Sequence, residues 1–302
     1  LVVDGWSMLI LAHELSEFYN AYSQGQRVQL PRPVQFREYL SKRAHVDDEY
    51  WRNQLRDLPP AVHSRSTTQS YAGAREQRLL DPALCADLTK TSAKSGVTLF
   101  MTLLAAYNVL INQLTGERNP VVVVPSAGQA TAGSAHLIGD CTNLLPLRTQ
   151  LDESQSFVAY LDQVKSVLLD AQAHADCSFA RVIGELRPLR DPSRWPFFNL
   201  DRALAAPKLH ELEVSFIQPP ISFTNFDLSL NVTQIQKELS LAIDYKTSLF
   251  DAPTIQSRMD HYETLLRAVV AQPDARLQDL PSLAPVTYHS REVEAQATYV
   301  AP

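Results

Sequence analysis

Four consecutive valines, Val121–Val124, constrain this chain more than any other stretch. A strand with β-branched side chains on both faces reads as one buried on both sides, which a sheet achieves only when other layers cover it. The flanking sequence supplies such layers. Thr98–Leu114 is a long apolar helical stretch closed by Gly116, and Asp81-Pro82 introduces a helix to about Ser95 with proline at its first position. Downstream, Leu144–Leu147 reads as a second buried strand, and Ser154–Ala171 and Ser178–Leu186 read as helices. The last third turns to strands at Phe197–Leu200, Leu212–Ile217, Phe223–Val232 and Leu239–Tyr245, closed by a helix over Ala252–Ala271. This mixture predicts an α/β or α+β sandwich with one large mixed sheet.

Ahead of the connector the pattern is helical. Ser7 can cap a helix to Tyr22 whose apolar positions Leu11, Leu15, Phe18, Tyr19 and Tyr22 share one side, and Gln24-Gly25-Gln26 stops it. A second helical stretch runs from about Gln35 through Asp47–Glu49 into Tyr50-Trp51 and Leu55. Pro59-Pro60 and the polar run His63–Ser70 read as a connector and the best place for a lobe boundary.

A chain of 302 residues, 45% of them hydrophobic, has room for one large domain or two lobes. A net charge of −6 with no dense basic stripe argues against a nucleic-acid partner. The longest apolar run, Leu99–Ile111, is too short to span a bilayer, so no membrane partner is expected. Asp4, Trp6 and His13 fall where a secretory leader would be apolar, and Cys85, Cys141 and Cys177 form no CxxC pair, which favours a reducing, cytoplasmic setting. There is no GxSxG, GxGxxG, GxxxxGK or HExxH pattern, and the histidines lack metal-ligand spacing.

Five stretches carry a more specific pattern. Leu1-Val2-Val3-Asp4-Gly5 fits the last five positions of a His-His-x-x-x-Asp-Gly motif. Ile138-Gly139-Asp140-Cys141-Thr142-Asn143, running to Arg148, is close to Ile-Gly-x-Phe-x-Asn with its following arginine. His174-Ala175-Asp176-Cys177-Ser178-Phe179 is close to His-Gln-Asp-x-Pro-Phe, departing at Ala175 and Ser178. Arg190-Asp191-Pro192-Ser193-Arg194-Trp195-Pro196 fits Arg-Asp-x-Ser-Arg-x-Pro, and Phe36–Tyr39 loosely echoes Tyr-x-Asp-Phe. Taken together along the chain, the segments resemble the condensation domain of nonribosomal peptide synthetases.

The resemblance implies two lobes, each similar to chloramphenicol acetyltransferase. Residues 1–61 would end the first lobe, 62–285 would form the second, and 286–302 would lead toward a following domain. It implies two carrier-protein partners and neighbouring megasynthase domains. The carriers' phosphopantetheine arms meet in a tunnel, where a carrier-bound amine attacks a carrier-bound acyl thioester; no directly bound cofactor and no metal is implied. The motif's histidine pair would stand just before Leu1, so this chain is expected to be a piece of a longer polypeptide, lacking the general base and inactive alone. An epimerisation or cyclisation relative, or a non-catalytic carrier-docking platform, is the alternative.

Residue by residue, Asp4 and Gly5 are what remains of the catalytic motif. The resemblance makes Asp4 an ion-pair partner that fixes the motif, its arginine lying upstream. Gly5 suits a close backbone approach or positive φ, and Trp6 is expected in the core. Asn143 satisfies either a local turn or a substrate arm on physical grounds; the resemblance places it in the tunnel with Ser7, Ser126 and Gln129. Arg148 is expected in a structural salt bridge, and Arg190, Asp191 and Arg194 in ion pairs that pin a loop. His174 and Asp176 are read as structural.

Overall fold

The computed structural model describes residues 3–42, 49–56, 70–131, 136–176, 184, 194–203, 206–217 and 220–283. The valine run opens strand β2 (Val121–Ala127), and all four valines are buried. With β1 (Gly73–Leu79), β3 (Thr142–Arg148), β4 (Phe197–Arg202), β5 (Leu228–Ile235) and β6 (Glu238–Lys246) it forms a six-stranded sheet in the order β1-β6-β5-β4-β2-β3. Strands β2, β4 and β5 run parallel, and the remaining pairings are antiparallel. The sheet is mixed, as the pattern of elements requires.

Helices α1 (Gly5–Ser23), α2 (Phe36–Lys42) and α3 (Glu49–Gln54) precede the sheet. Helices α4 (Pro82–Lys94), α5 (Leu99–Thr115), α7 (Phe157–Ala173) and α8 (Ala252–Ala271) form its cover, while α6 (Gly128–Thr131) is a single turn after β2. α5 is the central element. Thr98 caps it by accepting from Met101 N–H, Gly116 ends it at φ +70°, and every residue from Met101 to Ile111 is buried. A helix apolar on all sides belongs inside, and α5 packs against α4, α7, α8 and β4. Each fully buried leucine or phenylalanine there contributes about 1.5–3 kcal/mol relative to exposure.

The differences from the expected elements have local causes. α1 begins three residues earlier than a Ser7 cap would allow, because the Asp4 carboxylate accepts from Ser7 N–H and is the cap itself. Of the helical stretch expected after Gln35, α2 and α3 are described, and residues 43–48 lie outside the described residues. Trp51 of α3 and the following Leu55 enter the main core. Leu212–Ile217 alternates as a strand would, yet among the described residues it makes only the isolated bridge Leu209–Leu212; Leu212, Phe216 and Ile217 are exposed. The expected helix Ser178–Leu186 and the connector lie, but for Gly184 and Ser70, outside the described residues.

The parallel strands end together. Their C-terminal ends form the edge of the sheet where α/β folds place ligands, and β2 leaves this edge directly into α6. α1 enters at the same place.

Candidate functional site

Asp4 sits at the β2–β3 corner of this edge. Its Oδ1 accepts from Ser7 N–H at 2.8 Å and lies 2.7 Å from Ser7 Oγ. Its Oδ2 accepts from Gln129 Nε2 at 2.7 Å, Cys141 N–H at 3.0 Å and Thr142 Oγ1 at 3.4 Å. Asp4 is 7% exposed. Burial pushes its pKa up, but the donors from Ser7, Gln129 and Cys141 together outweigh this and hold Asp4 below the ordinary 3.8. A carboxylate offers about four lone-pair sites, and these contacts occupy them. Asp4 is therefore an ionised latch between α1 and the β2–β3 end, with no spare capacity to act as a base.

Neutral groups, not an arginine, surround Asp4 among the described residues. Within the described residues amide, hydroxyl and backbone donors satisfy this buried charge, and the arginine partner that the resemblance implies belongs upstream of Leu1.

Ser7 and Gln129, expected at a tunnel wall, are fully buried instead. Ser7 Oγ accepts from Gly139 N–H at 3.0 Å and lies 2.9 Å from Gly139 O. Gln129 directs its amide N–H to Asp4, and its Oε1 has no hydrogen-bond partner among the described residues. Both side chains hold α1 to the β2–β3 end.

Gly5 is the first residue of α1, without positive φ and with open space where a Cβ would stand. Near this site, close approaches occur instead at Gly128 and Gly139. A Cβ on Gly128 would collide with Tyr39 Oη and the Cys141 carbonyl, and one on Gly139 would collide with the Phe36 ring. Phe36 and Tyr39 of α2 stack on each other and, with Leu137 and Cys141, form a small cluster apart from the main core. Trp6, expected in the core, is 38% exposed; as the second residue of α1 it precedes the helix's first buried apolar position, Ile10.

Ser126 and Asn143 face each other across β2 and β3, and both are half buried. Asn143 Nδ2 donates to the Ala175 carbonyl at 2.7 Å, and its Oδ1 accepts from Leu144 N–H at 3.0 Å. Beside it His174 stacks on Tyr50, with ring centroids 4.0 Å apart. Burial, reinforced by the Asp170 carboxylate, pushes the Tyr50 phenol up to about 12. Arg148 makes no salt bridge among the described residues; its Nη1 donates to the Gln54 and Arg56 carbonyls at 3.3 and 2.9 Å, at the end of α3 where helical carbonyls lack partners. Arg194 is half buried just before β4, while Arg190 and Asp191 lie outside the described residues. Among the described residues no group of His, Cys, Asp or Glu is arranged to hold a metal ion, and no single helix is long and apolar enough to cross a membrane.

A family model described as the condensation domain matches residues 1–289. The chain belongs to the condensation domain family. This condensation domain is similar to one of the linear gramicidin synthase proteins of Brevibacillus parabrevis, 33% identical over the whole chain and 6% of that protein. It is also similar to surfactin synthase subunit 2 of Bacillus subtilis, 29% identical over 94% of the chain and 8% of that protein. The chain thus spans less than a tenth of the length of these relatives. Among solved structures, the X-domain from teicoplanin biosynthesis superposes with a TM-score of 0.81 at 20% identity, covering 93% of this chain and 70% of that one. The first condensation domain of the CDA synthetase gives 0.74 at 19% identity, covering 94% and 64%. The fold is accordingly the α/β, chloramphenicol acetyltransferase-like fold of condensation domains.

Sequence reasoning passed over Gly139, Cys141 and Thr142 as parts of the latch. They lay inside the Ile138–Asn143 segment, but backbone donors such as Cys141 N–H leave no mark in side-chain identity.

Proposed function

We propose that the chain is the larger part of a condensation domain in a nonribosomal peptide synthetase or peptide–polyketide hybrid, and that the complete domain forms an amide bond. The amine of one carrier-bound aminoacyl group attacks the acyl thioester on another carrier. The observation that carries this reading is the Asp4 latch, which anchors the surviving half of the family's catalytic motif at the C-terminal edge of the parallel strands. The histidine pair that the family motif places just before Leu1 then stands within a few residues of a fixed point. The thioester is already activated, so holding both reactants in register supplies several kcal/mol of the acceleration, and a positioned base adds roughly 10²–10⁴-fold. Of the side chains expected in a tunnel, Ser126 is half exposed at this edge and suited to meet a pantetheine arm; Ser7 and Gln129 are not. The partners are a donor and an acceptor carrier, each bearing phosphopantetheine.

The test is a single-turnover reaction between a loaded donor and a loaded acceptor carrier, read by mass spectrometry of the acceptor. The full-length protein is expected to transfer the acyl group onto the acceptor amine, and the 302-residue chain alone is expected not to. Amide formation by the chain alone would place the base within it and overturn the assignment of the missing histidine.

A second reading, a carrier-docking platform without chemistry, draws on one observation. The X-domain is among the similar structures, and another structure holds it in complex with OxyB. Carrier binding by a full-length protein that forms no amide would favour that reading.

A further inference from the structure

Strand β3 lies at the edge of the sheet, paired only with β2 among the described residues, and groups outside the sheet hold it at both ends. At the first end, Cys141 N–H and Thr142 Oγ1 donate to Asp4. One residue further on, Asn143 Nδ2 donates to the Ala175 carbonyl at 2.7 Å. The turn that carries Ala175 is also the seat of α3. Tyr50 lies flat on His174 with 5° between the rings, and the Trp51 indole N–H donates to the His174 carbonyl at 2.9 Å. At the other end of β3, Arg148 holds the last carbonyls of α3. α3 therefore spans the strand, seated at one end through Asn143 and at the other through Arg148.

We propose that Asn143 is a positioning residue: by tying the end of β3 to the seat of α3, it fixes the donors that hold Asp4 and so sets the placement of the catalytic motif. Its effect on rate rests on the condensation reading above; its effect on the latch does not. An edge strand has neighbours on one side only, so its terminal residues open at low cost unless something outside the sheet restrains them. Asn143 is that restraint, one residue after Thr142 and two after Cys141, the donors to Asp4 at this end of β3. Hydrogen bonds weaken steeply with lengthening and misalignment, so a shift of residues 141–143 is felt directly at Asp4. A misplacement of about 1 Å at a reacting centre costs on the order of 10²-fold in rate.

The inference differs from a substrate-contacting role in what it predicts. In the 302-residue chain, hydrogen exchange followed by mass spectrometry is compared for Asn143→Ala and for Trp51→Phe, which removes the indole donor to the His174 carbonyl and leaves a smaller ring in the core. Both are expected to speed exchange about 3–10-fold in residues 5–10 as well as in 49–56. Faster exchange confined to 49–56 would overturn the coupling. In the full-length protein, Asn143→Ala is expected to lower kcat about 10–100-fold while KM for the loaded acceptor carrier stays within about 3-fold. A raised KM with kcat intact would instead put Asn143 against the substrate arm and refute the positioning role. If the unaltered full-length protein forms no amide, the condensation reading fails, and the exchange experiment still decides whether α3 and the Asp4 latch are linked.

Discussion

Replacing Asp4 with alanine probes the latch most sharply. The substitution removes a helix cap, worth about 1 kcal/mol. It also strips the buried Cys141 N–H of its acceptor, at about 1–3 kcal/mol. Gln129 loses its bond to Oδ2 but keeps the Gly139 carbonyl within reach at 3.4 Å, which softens its share. The total comes to about 2–4 kcal/mol, or roughly a 30–10³-fold change in an opening equilibrium. The loss should stay local, because no residue of α1 belongs to the main core cluster. Hydrogen exchange followed by mass spectrometry on Asp4→Ala is therefore expected to show residues 5–12 losing protection by about that factor, with β5 and β6 nearly unchanged. Asp4→Asn, which keeps one acceptor oxygen, should lose less. Unchanged protection in α1 would refute the latch; equal losses in α1 and in β5–β6 would refute its independence from the core.

The low pKa of Asp4 predicts an acid limb. A folded-state pKa below 3.8 means that the carboxylate's contribution is fully present above that value and fades as pH falls through the folded pKa; α1 protection should drop there in the unaltered chain, and Asp4→Asn should flatten the dependence. Gly128→Ala and Gly139→Ala should each force α2 off the β2–β3 end, at about 1–3 kcal/mol, measured as a lowered denaturant midpoint and faster cleavage near Phe36–Lys42. Leu104→Ala, at a site with no exposed surface in α5, should cost about 2–5 kcal/mol by equilibrium denaturation.

What the sequence made legible was whatever depends on repeated side-chain pattern. Val121–Val124 announced a covered strand, and Ala252–Ala271 appears with those bounds because Asp251 caps one end and the apolar period runs to the other. Thr98 and Gly116 bracket α5 for the same reason. The latch was partly legible: Asp4 was identified as structural, but its partners are long-range donors whose identity the fold alone decides. Ser7 shows why. As a residue type it is a good cap, yet Asp4 three positions earlier accepts from Ser7 N–H and starts the helix before Ser7, with its carboxylate also held by Gln129 and Cys141 from across the sheet edge. Gly5 and the pair Gly128 and Gly139 make the same point: which glycine must lack a Cβ depends on where Phe36 and Tyr39 land. Leu212–Ile217 alternates correctly, but alternation cannot supply a neighbouring strand.

The most direct test of the account is to map where a substrate arm lies. A carrier protein bearing a photoreactive acyl-pantetheine would be irradiated with the full-length protein, and the linked peptides identified by mass spectrometry. The account predicts attachment around Ser126 and the adjoining end of β3, at the C-terminal edge of the parallel strands where Asp4 is latched. Attachment at the opposite edge of the sheet, around Tyr71, Phe223 and the buried Asp227–Lys246 pair, would contradict it.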